Sequence, residues 1–245
     1  MTPVLATTGL AKRFGGLLAV DGVDFEVPRG QIRAVIGPNG AGKTTLMGLI
    51  SGRLTPSAGR ISFNGRDVTR QRAWDRARSG IVYTFQVTSI YAELSCYENV
   101  ALAAQRQLAG GMFAQLLLDE KHIAERVAAA LHQVGLERVS AQRADSLPYG
   151  HQRLLEVAMS LALEPQLLIL DEPTQGLANA EIDALCEHVR AIAGRITVVI
   201  IEHNMPVVLD LADCITVMER GAVLAEGDPA QIAGDPQVQR AYLGA

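Results

Sequence analysis

An α/β fold with a mainly parallel sheet is predicted by three features of the sequence. Strand-length apolar runs alternate with helical patterns along most of the chain. Two of those runs, Leu167-Leu168-Ile169-Leu170 and Thr197-Val198-Val199-Ile200-Ile201, are apolar without interruption, as strands buried on both faces are. A third run, residues 32–36, passes through a glycine-rich loop straight into a helical segment.

The composition allows this and narrows the function. With 245 residues, 49% hydrophobic and 20% charged, the chain suits one large globular domain with a subdomain. A net charge of −4 argues against a general nucleic-acid binder. Cys96, Cys186 and Cys214 are odd in number and far apart, with no C-x-x-C pair, so reduced thiols in a cytoplasmic protein are expected. The first residues show no basic segment followed by an apolar run, and no secretory signal is expected. No stretch reaches the length of a membrane span, so a membrane role is expected only through a partner.

Taken in order, residues 4–14 and 19–27 read as strands, the second alternating Val23, Phe25 and Val27 with polar neighbours as in an antiparallel sheet with one wet face. Phe14, as a bare aromatic, reads as core. Residues 60–63 and the Asn64-Gly65 turn suggest a hairpin. The arginines 66, 70, 72, 76 and 78 read as a solvated face, with lipid head groups or an acidic partner as the other reading. Residues 81–84 form a short strand, and 97–134 turn helical with a break at Ala109-Gly110-Gly111. A further helix opens near Pro148, with Ser146 as its expected cap. Helices over 180–191 and 204–211 flank the 197–201 strand, and a hairpin turning at Glu219-Arg220-Gly221 follows.

The chemistry starts at Gly37-Pro38-Asn39-Gly40-Ala41-Gly42-Lys43-Thr44-Thr45, the G-x-x-x-x-G-K-[ST] pattern of a phosphate-binding loop. Its glycines let backbone N–H groups turn toward a polyphosphate, and the helix after it offers unpaired N–H groups and a positive dipole end. Lys43 would reach the β- and γ-phosphates, and the Thr44 hydroxyl would sit on Mg²⁺. A nucleoside triphosphate is the expected ligand. Asp171-Glu172 ends a buried strand at the sheet edge where such ligands collect. One carboxylate there can hold Mg²⁺ through its water shell, and the second can take a proton from attacking water. His203 ends the neighbouring buried strand and could donate to the γ-phosphate. Gln86 follows a short strand, and its amide could reach the metal or the water.

Gly37 to Thr45, Gln86, Leu147 to Arg153, Leu167 to Thr174 and His203 occur in the order found in the ATP-binding-cassette (ABC) ATPases, which the chain resembles over nearly its whole length. The resemblance implies a P-loop core with an antiparallel β subdomain and a helical subdomain, about residues 87–163, inserted within a single 1–245 domain. It implies ATP and Mg²⁺ as cofactors and two subunits that sandwich two ATP molecules. By the same likeness Phe14 would stack on adenine, and Thr44, Gln86 and Asp171 would surround Mg²⁺. Glu172 would be the general base, and His203 would contact the γ-phosphate. The segment Leu147-Pro148-Tyr149-Gly150-His151 would close the site on the opposite subunit, with Tyr149, Gly150 and His151 at a helix N-terminus suited to facing a phosphate.

Two departures from the family pattern stand out. Pro148 occupies the place of a serine and offers neither hydroxyl nor N–H, and Ala178 stands where an interface aspartate is usual. Within the family, Arg13-Phe14-Gly15-Gly16, Thr84-Phe85-Gln86, Leu147-Pro148-Tyr149-Gly150 and Ala241-Tyr242-Leu243-Gly244 look like the ATPase subunits of branched-chain or hydrophobic amino-acid importers. Importers of urea or short amides share much of that pattern. The likeness implies membrane-embedded permease partners, a second ATPase subunit (the same or a sibling) and, indirectly, an extracytoplasmic solute-binding protein. It also implies a place at the cytoplasmic face of the membrane. The rival from another class is a soluble ATPase acting on ribosomes or DNA, but this chain has neither the paired cassettes nor the coiled-coil arms usual there.

Overall fold

The computed structural model describes residues 3–84, 89–108 and 120–243. Two long strands, β1 (Leu5–Phe14) and β2 (Leu17–Val27), form an antiparallel hairpin. β3 (Ile32–Ile36) then enters the core, and α1 (Lys43–Ile50) leaves it, one turn earlier than the apolar pattern marked. The chain returns to the hairpin as β4 (Ala58–Phe63) and β5 (Arg66–Asp67), completing a four-stranded antiparallel sheet in the order β2-β1-β4-β5. After α2 (Ala73–Arg78) and β6 (Ile81–Tyr83) come three helices, α3 (Cys96–Leu108), α4 (Glu120–Gln133) and α5 (Tyr149–Leu161), which pack on one another. The remainder alternates: β7 (Leu167–Asp171), α6 (Asn179–Ile192), β8 (Thr197–Ile201), α7 (Met205–Leu211), the hairpin β9 (Cys214–Glu219) and β10 (Ala222–Gly227), then α8 (Pro229–Gly234) and α9 (Pro236–Leu243).

The second sheet runs β10-β9-β3-β8-β7-β6, parallel throughout except for the β10 edge. β7 and β8 are apolar without alternation because both their faces are covered. Leu168, Leu170, Val198 and Ile200 face a core shared with α3 to α7, while Leu167, Ile169, Val199 and Ile201 face one shared with α1 and the antiparallel sheet. Val35 pairs with Ile201, and Ile201 with Asp171, so β3, β8 and β7 end at one level. Whatever follows those three strands is gathered at one edge.

Three expectations need correction. Arg76 does not belong to a solvated face: it is 1% exposed, and its guanidinium donates to the carbonyls of Leu49 (2.5 Å), Ile50 (2.7 Å) and Thr69 (2.9 Å). It pairs the Ile50 carbonyl at the end of α1 and adds a second donor to the Leu49 carbonyl, which also accepts from Gly52 N at 3.2 Å. Arg66, Arg70, Arg72 and Arg78 are exposed as expected. Ser146 does not cap α5. Its hydroxyl donates to the Arg143 carbonyl at 2.7 Å, and Pro148 occupies the cap position with no side-chain bond. The helices α8 and α9 were not anticipated, although Asp228 and Gln231 form a reciprocal capping box with Pro229 at the first helical position.

Arg76→Met is expected to lower unfolding free energy by about 2–4 kcal/mol, because two buried carbonyls and a half-buried one lose a charged donor. Arg76→Lys should recover only part of that, since an ammonium lacks the planar fork. Urea denaturation measures both. Equal stability of all three proteins would remove Arg76 from the support of α1.

Candidate functional site

The loop after β3 can be made only with glycine at two points. Gly37 has φ +149°, and a Cβ there would lie 2.1 Å from the Met218 carbonyl oxygen. Gly42, at the start of α1 with φ +100°, would place a Cβ 2.4 Å from the Ala19 carbonyl oxygen. Neighbouring turns hold the loop from outside: Gly221 N donates to Ala41 O at 3.0 Å, and Asp21 N donates to Gly221 O at 2.8 Å. Lys43 is folded over the loop, its Nζ donating to Gly37 O at 2.7 Å and Pro38 O at 3.1 Å. Burial lowers the Lys43 pKa, while Glu172 and Asp171 act in the opposite direction.

Above the loop lies an open cavity of about 540 Å³. Asn39 to Thr45 form its floor, Phe14, Leu17, Leu18 and Ala19 one wall, and Glu172 and Arg220 also line it. Phe14 is thus a rim residue, 45% exposed, and not the core residue that a bare aromatic suggests; the Lys12 ammonium lies 5.0 Å from its ring centroid. An exposed ring beside a phosphate-sized loop suits a flat heterocycle.

Asp171 and Glu172 are adjacent but placed differently. Asp171 is the last residue of β7, 4% exposed, and accepts a hydrogen bond from the Tyr83 hydroxyl at the end of β6. Burial, followed by the contact with Asp171, raises the Tyr83 pKa, so the phenol is the donor. Glu172 has φ +48°, a left-handed conformation costing a non-glycine residue about 1–2 kcal/mol. Its amide still donates to Ile201 O at 2.9 Å, so the chain turns while pinned to β8. That turn delivers the carboxylate to the cavity, with Oε1 3.8 Å from His203 Nδ1. The next residue along the β8 exit, Glu202, is fully buried and organises the surroundings. It accepts from Thr174 Oγ1 (2.6 Å), Thr174 N (3.0 Å) and His203 N (3.1 Å).

Phe14, Asn39, Gly40, Ala41, Gly42, Lys43, Thr44, Thr45 and Glu172 therefore share one cavity, with Gly37 and Pro38 joined to it through Lys43 and His203 through Glu172. Gln86 lies outside the described residues. Tyr149, Gly150 and His151 begin α5 and are not among the residues lining this cavity; Gly150 N donates to Glu181 Oε1 at 3.2 Å. Sequence reasoning missed Tyr83, Glu202 and Arg220. Glu202 carried one usable signal, a carboxylate directly after a continuously apolar strand. The Thr44 hydroxyl and the Asp171 carboxylate are hard oxygen donors of the kind Mg²⁺ takes, so the residues present fit that ion.

A parallel sheet, a glycine loop at the start of α1 and a carboxylate after a neighbouring strand define a P-loop nucleotide-binding ATPase. The chain belongs to the ABC transporter family, whose pattern matches residues 20–175. Residues 222–245 match the C-terminal pattern of the branched-chain amino acid ATP-binding cassette transporters. The high-affinity branched-chain amino acid transport ATP-binding protein BraF of Pseudomonas aeruginosa is 38% identical over 250 residues, covering 99% of this chain and 98% of that protein. LivG of Escherichia coli K12, described in the same words, shows the same identity and coverage. An ABC transporter cassette solved in its ADP conformation superposes with a TM-score of 0.89 at 30% identity, covering 100% of both chains. A nucleotide-free cassette gives 0.88 at 29% identity with the same coverage. This chain is an ABC ATPase.

Proposed function

We propose that this chain is the ATP-hydrolysing subunit of an importer for branched-chain or other hydrophobic amino acids, working on membrane-embedded permease subunits. The observation that carries the catalytic part is the turn at Glu172, which sets a carboxylate beside the phosphate loop and next to His203. The importer class is supported by the match over residues 222–245 and the relatives' names.

The loop amides and Lys43 bind the phosphates of ATP, and Phe14 stacks on its adenine. Thr44, Asp171 and Gln86 would hold Mg²⁺, which would supply neutralisation of phosphate charge. Glu172 orients the attacking water and accepts its proton, and His203 donates to the γ-phosphate. Positioning and charge stabilisation account for most of the rate. Tyr149, Gly150 and His151 close the cavity of a second ATPase subunit across a dimer interface. The helical region, roughly Cys96 to Val134, and the Gln86 segment carry motion to the permease. No helix among the described residues is long and apolar enough to cross a membrane. In this reading the chain attaches at the cytoplasmic face through the permease, with a solute-binding protein delivering substrate on the other side.

The test is affinity isolation of the Glu172→Gln chain with ATP from detergent-solubilised membranes. Co-purifying hydrophobic permease subunits are the expected result, and their identity narrows the solute. Ribosomes or DNA-associated proteins, with no permease, would overturn the transport assignment.

A further inference from the structure

Asp171 is held from a side that none of the roles above accounts for. β6 runs parallel to β7 at the edge of the sheet, with Tyr83 level with Ile169. From there the Tyr83 hydroxyl reaches the Oδ2 atom of Asp171. The tyrosine ring is fixed in turn, because the Arg53 guanidinium stacks on it with its central carbon 3.6 Å from the ring centroid. Arg53 Nε donates to Ser51 Oγ at 3.1 Å, and Ser51 is tied to the end of α1 by its amide to Met47 O (2.8 Å) and its hydroxyl to Gly48 O (3.3 Å). A continuous line of contacts therefore runs from the far end of α1, whose first residues are Lys43 and Thr44, through Ser51, Arg53 and Tyr83 to Asp171.

We propose that Tyr83 is a positioning residue for the cation site, fixing the Asp171 carboxylate against α1 so that it and Thr44 present oxygens to one Mg²⁺. The inference rests on the reading of Asp171 as a cation-holding group. Two physical points support it. A carboxylate at the end of a strand rotates about two bonds, and a donor on one oxygen fixes its plane while the other oxygen stays available. Partners of metal ligands typically change metal affinity by about 10- to 100-fold when removed.

Tyr83→Phe tests this with little loss of packing, since only one oxygen is deleted. Binding of a fluorescent ATP analogue is titrated with Mg²⁺ at equilibrium, alongside steady-state hydrolysis and thermal unfolding of the full chain. The expected result is an Mg²⁺ midpoint raised about tenfold. Nucleotide affinity without Mg²⁺ and turnover at saturating Mg²⁺ should both stay within about twofold, roughly 0.4 kcal/mol. An unchanged midpoint accompanied by lower thermal stability would overturn the proposal and leave Tyr83 a packing residue. Asp171→Asn separates the two layers. If it shifts the midpoint and Tyr83→Phe does not, the positioning role alone fails. If neither shifts it, the assignment of Asp171 fails and the proposal falls with it.

Discussion

Glu172→Gln is expected to slow steady-state ATP hydrolysis by about 10²- to 10⁴-fold, the usual contribution of a positioned general base, while nucleotide binding persists. The substitution keeps the side-chain shape and changes only its ability to accept a proton. The backbone should hold, because the amide of residue 172 is bonded to Ile201 O irrespective of the side chain. The Glu172 charge beside His203 is lost, but at 3.8 Å and with His203 largely exposed that contact stabilises the fold by at most about 1 kcal/mol. Thermal unfolding should therefore barely move. Single-turnover hydrolysis in the variant is the deciding measurement: a rate equal to wild type would mean that another group accepts the proton.

Lys43→Met comes second, with ATP affinity lowered about 10- to 100-fold, corresponding to one lost charge-assisted bond of roughly 1.5–3 kcal/mol. In the free chain Lys43 donates to two loop carbonyls, and burial already disfavours its charge. Replacing it by an apolar side chain of similar length removes that desolvation cost. Stability without nucleotide should accordingly stay within about 1 kcal/mol of wild type. The rise in melting temperature on adding ATP should largely disappear. Isothermal titration and thermal shift together check this, and unchanged ATP affinity would remove Lys43 from the phosphate contacts.

These two residues belong to the part of the site that is legible in the sequence. The phosphate loop is local in sequence, so spacing alone specifies it, and the strands carrying Asp171 and His203 advertise themselves because burial on both faces leaves no polar alternation. What stayed hidden depends on contacts between distant segments. Nothing in the pattern of five arginines distinguishes Arg76, two of whose three partners lie on a helix 26 and 27 residues earlier in the chain. Tyr83 and Asp171 meet across 88 residues, only because β6 and β7 are neighbours in the sheet. Phe14 misled for the opposite reason: aromatic character alone predicts burial, and a ring exposed on the rim of a cavity has no separate local signature.

One carboxylate already described has a mechanical role. Glu181 accepts from Gly150 N at the start of α5 through one oxygen and from Ala178 N at the start of α6 through the other. It works as a rivet through two beams. Helix α5 opens with the segment expected to face a second subunit, and α6 begins a few residues after Glu172. Sliding α5 away from α6 must shear that rivet or drag the 172–178 loop along, so displacement at the start of α5 reaches Glu172 through a linkage only a few residues long.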